Sequence, residues 1–416
     1  MSYRKLLKIL SCLLPALLYG CGYLRVDPMH FLLRSAVIES AEKEREILSK
    51  ARLGWTEDGR LRVLYLKGSA YERGYQHGAL LRREVQDNLG YMHKRAIETF
   101  RSEELFVEAF ERARPFIPEE YLEEMHGLAH GAKVPLRMIH DIHILPSLTE
   151  WGGKKKLKGI VKQMISGELG TSCSNIGVNG SSTADQRLYA VRILDWGLHK
   201  ISKLHKYPLI SINLPDKGYA YANIGWVGFL GAISGMNEQG ITLGEMGYGD
   251  PPNETLAGKP MPFLLRDILG YADDLADVRK FIGESPGDNS FAFLMTDGKS
   301  GSSQMYIKDH DRFVVFNPGD SFSEERTFPS VKDSVYGGHF EEKMNEMLTE
   351  FHGRLKPELF MQTIIPTIAM KSNFQNVVYD PAGLQFWVNN ALSKEQRAAE
   401  QPYTFFDFGK ALKEFR

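Results

Sequence analysis

The chain has 416 residues, 43% of them hydrophobic and 25% charged, which suits one large core or two ordinary ones and excludes a disordered or collagen-like chain. Its 51 basic and 52 acidic side chains leave a formal net charge of -1, so no global field draws in nucleic acid or an anionic surface.

In chain order, Arg4, Lys5 and Lys8 precede an apolar run from Ile9 to Leu18, which is too short to cross a bilayer and reads as a secretion signal. The run ends in Leu18-Tyr19-Gly20-Cys21, which resembles the lipobox of bacterial lipoproteins, where signal removal leaves a lipid-modified N-terminal cysteine. An ordinary cleaved signal or a buried N-terminal helix are the other readings of these residues. On the lipoprotein reading, residues 1–20 are removed and Cys21 carries the lipid. Gly22 rather than aspartate then follows, which favours the outer membrane. The protein is thus expected to be exported and attached to the bacterial cell envelope through its N-terminus.

From Met29 to Arg52 the pattern is charged and helical, and Arg73 to Phe100 continues with apolar residues at helical intervals. Glu119 to Ala132 predicts a further helix closed by glycine, so residues 21–172 are expected to be mostly helical. "GGKKKLKG", Gly152 to Gly159, predicts an exposed loop. Beyond Cys173 the texture changes to short β-rich runs: Ser174 to Val178, Leu188 to Leu194, Leu209 to Asn213, Tyr219 to Ile224, Phe229 to Ser234 and Ile241 to Met246. A helical block from Pro262 to Gly283 follows, then strands near Phe291 to Thr296, Gln304 to Lys308 and Arg312 to Phe316. Helical stretches at Glu341 to Phe351 and Pro357 to Met370 lead to a last strand pair around Asn376 to Tyr379 and Leu384 to Asn389. This order predicts an α+β fold with antiparallel sheets covered by helices.

Of the three cysteines, Cys12 leaves with the signal and Cys21 is taken by lipid, which leaves Cys173 without a disulfide partner. A buried inert cysteine is the bland reading. Broken at the preceding peptide bond, however, Cys173 carries both a thiol and an α-amine. That amine, with a pKa of about 7.7 to 8.0, accepts the thiol proton near neutral pH, and no histidine is required. The turn "NGSSTADQR" returns the chain antiparallel, so that Arg192 and Asp195 come back toward the nucleophile. Asp195 then orients the ammonium and Arg192 favours thiolate. An ordinary ion pair at a strand end accounts for these two residues as well.

Ser172-Cys173-Ser174, Arg192-x-x-Asp195-Trp196 and "GMNEQGITLGEMGYG" (Gly235 to Gly249) together resemble the cysteine N-terminal-nucleophile (Ntn) hydrolases of the isopenicillin N acyltransferase type. The choloylglycine hydrolases and acid ceramidase relatives are more distantly similar. "RGYQHGALL" (Arg73 to Leu81) and "EEMHGLAHGA" (Glu123 to Ala132) resemble that family's helical propart, so the likeness runs from about Arg73 to the C-terminus. The resemblance implies a four-layer αββα sandwich made as a precursor and cut between Ser172 and Cys173. The fragments 21–172 and 173–416 then stay together in one compact fold. It also implies hydrolysis of a small-molecule or peptide amide, or transfer of its acyl group, through a Cys173 thioester without a cofactor. Asn289 is the expected oxyanion donor, with a plain turn residue as the other reading, and Asn389 and Asn390 are weaker candidates. Glu245 and Met246 stand where choloylglycine hydrolases carry an asparagine, which argues against bile-salt chemistry.

Two further readings carry less weight. His126 and His130 lie four apart on a helix, with His140 and His143 beyond, but no HExxH accompanies them and helix packing explains them, so no metal is expected. A catalytically inactive, lipid-anchored binding or structural lipoprotein of the same fold is the alternative function; intact Cys173, Arg192 and Asp195 count against it.

Overall fold

In the computed structural model, residues 40–155, 173–197, 202–248, 255–321 and 329–416 are described. The signal segment, Cys21 and Ser172 lie outside them. None of the helices among the described residues is long and apolar enough to cross a membrane.

Residues 1–50 and 51–416 form two separate units. Of the first, helix α1 (Ala41–Ser49) is described, with Ser40 capping it by accepting from the Lys43 backbone N–H.

Among the described residues of the second unit, fifteen strands divide between two sheets. The larger runs in the order β1 (Arg52–Trp55), β2 (Arg62–Gly68), β5 (Pro208–Pro215), β6 (Tyr221–Trp226), β7 (Gly235–Asn237), β8 (Ile241–Gly247), β9 (Phe291–Asp297), β10 (Ser302–Lys308) and β11 (Phe313–Phe316). The smaller runs β12 (Ser334–Gly338), β3 (Ser174–Val178), β4 (Tyr189–Asp195), β13 (Asn373–Asp380), β14 (Gln385–Asn390) and β15 (Thr404–Asp407). Every pairing is antiparallel except that of β2 with β5. β3 and β4 pack face to face on β8 and β9.

Helices close both outer faces. Helix α2 (Ala70–Leu80) leads into α3 (Arg82–Phe100), α4 (Glu104–Ala113), α5 (Glu119–Ala132) and α6 (Leu136–Lys155). α2 lies on β2 and β5, while α7 (Met261–Tyr271) and α8 (Leu275–Glu284) cover β7 to β10. On the other side, α9 (Glu341–Glu350) and a helical stretch over 357–368 bury Met344, Leu348, Phe360 and Ile365 against Ile176, Val191 and Ile193. α10 (Phe408–Phe415) ends the chain. The result is the four-layer αββα sandwich.

The glycines of the two propart-like motifs have a packing reason. A Cβ on Gly74 of α2 would fall 2.0 Å from the Glu124 carbonyl of α5, and one on Gly127 would fall 2.1 Å from that of Tyr71. The two helices therefore touch backbone to backbone.

Three local expectations change. β1 and β2 occupy a region expected to be helical, and add two strands to the larger sheet from before Cys173. Helix α6 continues through 152–155, where a loop was expected, and the remainder of that segment lies outside the described residues. The apolar stretch Phe229 to Ser234 is not a strand: Leu230 bonds through both its backbone groups to side chains of distant helices, and the strand starts only at Gly235.

Candidate active site

β3 begins one residue after Cys173, and pairs with β4 so that Ser174 lies opposite Ile193 and Asn175 opposite Arg192. Side chains alternate along a strand, so Ile176 and Ile193 facing the outer helices leave Cys173, Asn175 and Arg192 between the two sheets. Gly244 of β8 makes room for them: a Cβ there would lie 2.4 Å from Asn175 Oδ1 and 3.4 Å from Arg192 Cγ.

Arg192 is fully buried and reaches across the sandwich. Its Nη2 donates to Glu245 Oε1 at 2.5 Å and lies 3.8 Å from Cys173 Sγ. Its Nε and Nη1, like both amide atoms of Asn175, have no hydrogen-bond partner among the described residues. Burial pushes the Cys173 thiol well up; the Arg192 charge opposes this, while Glu245 and Asp195 add to it. Glu245 is raised by burial and held back by Arg192. The spacing in the sequence thus brings Arg192 to the thiol as expected.

Asp195 stands at the end of β4, also fully buried. Its Oδ1 accepts from Asn373 Nδ2 at 2.9 Å and from the Met370 backbone N–H at 3.2 Å, and its Oδ2 has no partner among the described residues. Burial lifts its pKa to about 7 against those hydrogen bonds and the Arg192 charge. Asn373 continues into a chain of amides: it exchanges hydrogen bonds with Asn376, whose Nδ2 donates to Asn389 Oδ1. Asn389 in turn donates to the Gln401 carbonyl, and Asn390 accepts from Gln375.

Asn289 makes its hydrogen bond to a helix. Its Nδ2 donates to the Ser147 carbonyl at 3.0 Å, and it is absent from the cavity wall at Cys173. Sequence reasoning missed Glu245 as the partner of Arg192, although an acidic residue inside the apolar run "ITLGEMG" was a usable signal. It also missed Asn373 and Asn175, polar residues within strands that are buried on both faces.

A cavity of about 70 Å³ opens beside Cys173. Met92, Ile142 and Leu145 wall it from before the nucleophile, and Leu194, Trp226 and Phe229 from after it. Cys173 and Glu245 are its ionisable groups among the described residues. None of the four histidines named above is among the described residues lining the cavity: His130 bonds the Tyr71 hydroxyl at 2.6 Å, His126 sits edge-on to His130, His140 stacks on Phe110, and His143 bonds the Ile139 carbonyl and stacks on Phe229. No group of three or more potential metal ligands occurs among the described residues.

The Arg192–Glu245 pair is a poor stabiliser by itself, since burying two charges offsets most of their attraction, but breaking it exposes that cost. In the uncleaved Cys173→Ala protein, Arg192→Leu is expected to lower unfolding stability by about 3–5 kcal/mol, and Arg192→Leu with Glu245→Leu to recover most of it, as read by urea denaturation. Equal losses in the single and double variants would contradict a buried pair.

No family model matches the chain. It is 23% identical over 356 residues to protein dcd1B of Dictyostelium discoideum, covering 78% of this chain and 67% of that protein. To protein dcd1A of the same organism it is 22% identical over 321 residues, 69% of this chain and 68% of that protein. Among solved structures, the Caenorhabditis elegans ortholog of N-acylethanolamine-hydrolyzing acid amidase aligns at a TM-score of 0.39 and 11% identity, covering 50% of this chain and 93% of that one. Penicillin V acylase from Agrobacterium tumefaciens aligns at 0.34 and 12% identity, covering 57% and 87%.

Proposed function

We propose that the chain is a self-processing cysteine Ntn amidase or acyltransferase. Three observations support this reading: a thiol beside a buried guanidinium and, among the described residues, a carboxylate oxygen without a partner at the same strand end and a cavity lining that holds no histidine. The first carries it, because a fixed positive charge at an otherwise strongly desolvated thiol favours thiolate.

Processing begins when the thiol adds to the Ser172 carbonyl carbon. The Cys173 nitrogen leaves, and water hydrolyses the resulting thioester. The products are a carboxylate on Ser172 and a free amine on Cys173. That amine then takes the thiol proton as the sulfur attacks a substrate amide, and returns it to the departing amine. Water, or an acceptor amine, releases the acyl group in the same way. Asp195 holds the α-ammonium through its open Oδ2, while Arg192 supports the thiolate. Asn175, with its unpartnered amide beside Arg192, is a better-placed oxyanion donor than Asn289.

The apolar wall selects an uncharged, hydrophobic acyl group. Both fragments build that wall, and Arg73 and Arg266, one from each fragment, share the buried Glu124 carboxylate, so the fragments remain associated after cleavage. On the sequence signals, the whole is exported and held to the envelope by lipid on Cys21.

The test is to trap the acyl-enzyme with a p-nitrophenyl ester of an apolar acid and map the label by mass spectrometry. Label on Cys173 is expected, and label on another residue contradicts the mechanism.

A further inference from the structure

The loop from Val227 to Ser234 joins β6 to β7 and carries Phe229, Leu230 and Ile233; Phe229 and Ile233 line the cavity. Its composition is that of a strand, yet its backbone groups are satisfied one by one from other parts of the fold. Asn88 of α3 donates to the Val227 carbonyl at 2.8 Å, Arg266 of α7 to that of Leu230, and Asn223 to that of Gly231. The Gly228 N–H donates to His77 Nε2 of α2 at 2.9 Å, and the Leu230 N–H to His143 Nε2 of α6 at 2.8 Å. Gly228 takes a left-handed φ of +86°, a backbone conformation that favours glycine.

Both rings must be neutral to accept these bonds. His143 Nδ1 lies 2.7 Å from the Ile139 carbonyl and can only donate there, which fixes the lone pair on Nε2. The same ring stacks on Phe229 at 5.1 Å with planes 6° apart, and on Phe263 at 6.0 Å. His77 and His143 are 2% and 1% exposed. Both come from before Cys173, and the loop they hold comes from after it.

We propose that His77 and His143 are positioning residues for the cavity beside Cys173: as neutral Nε2 acceptors they fix the 227–230 backbone, and through it the face that Phe229 presents to an acyl group. The use of the cavity as an acyl site rests on the function proposed above; the placement of the loop does not. A proton on either ring turns the acceptor into a donor facing a backbone N–H, and so releases the loop. For His77 the charged or titratable neighbours are Glu124 of α5, which favours protonation, and His143 and Arg266, which oppose it. For His143 they are Glu124, favouring it with the Ile139 carbonyl, Arg266, opposing it, and the rings of His77 and His140. Burial outweighs these and lowers both to about 4.

The experiment is amide hydrogen exchange of the purified protein, read over residues 226–233, with β13 as the internal reference. His143→Phe keeps a ring on Phe229 but has no acceptor; exchange of the loop is expected to rise about tenfold at pH 7. His143→Gln and His77→Gln keep an acceptor that cannot be protonated, so they should hold the loop at pH 7. They should also blunt the loss of protection that the wild type shows as the pH falls toward 4. On an amide with a long apolar acyl chain, His143→Phe should raise KM several-fold and leave kcat within about twofold, since Cys173, Arg192 and Asp195 are untouched. Unchanged loop exchange in His143→Phe overturns the assignment, as does an unchanged KM in the presence of faster exchange. Exchange needs no substrate, so a wild type without amide turnover would count against the proposed function and not against the held loop.

Discussion

Replacing Cys173 with alanine is expected to leave the chain in one piece and to reduce turnover to background. On the proposed mechanism both outcomes have one cause: Sγ attacks the Ser172 carbonyl and, after cleavage, the substrate. Alanine retains a backbone nitrogen but never frees it, so the base is lost with the nucleophile. The fold should survive, because a buried cysteine packs as a small hydrophobe and its shortening costs about 1 kcal/mol. Gel electrophoresis of the purified variant reads the first outcome and an amide-release assay the second. Efficient cleavage before residue 173 in this variant, with no added protease, contradicts self-processing.

Asp195→Asn is expected to lose turnover about a hundredfold or more while making the uncleaved protein no less stable. The folded carboxyl titrates at about 7, raised by burial from the ordinary 3.8. Between those values the folded chain binds a proton that the unfolded chain does not. Stability therefore falls as the pH rises through that window, by roughly 1.4 kcal/mol for each pH unit. Asparagine keeps an oxygen for Asn373 and Met370 but carries no charge. Made in the uncleavable Cys173→Ala protein, it should raise the urea midpoint at pH 8 and change it little at pH 4. In processed enzyme it removes the anion that holds the α-ammonium, so kcat should fall more than KM changes. A loss of stability at pH 8, or full turnover, would contradict a carboxylate kept at a cost for its charge.

Much of this site was legible because it is local. Cys173, Arg192 and Asp195 lie on one hairpin, and a turn between two β-rich runs fixes which residues return to the nucleophile. Glu245 was not legible as a partner because its contact with Arg192 crosses from one sheet to the other, which no spacing encodes. Asn289 was read from its place before a strand, but its amide is taken by Ser147 of a helix far earlier in the chain. β2 was missed because "RVLYLKG" sits among charged helical segments, and its place in the sheet comes from pairing with β1 on one side and with the distant β5 on the other. Phe229 to Ser234 failed in the opposite sense: apolar enough for a strand, its backbone is held by side chains of His143, Arg266 and Asn223 instead. Periodicity reports which faces are buried and is silent on what satisfies the backbone.

The central claim is that Cys173 becomes a chain terminus. Intact-mass measurement of the purified wild type, with N-terminal sequencing of its fragments, tests it most directly. A fragment that begins at Cys173 and ends at Arg416 is the predicted result, and a chain that remains continuous through Ser172-Cys173 while turning over an amide would contradict it.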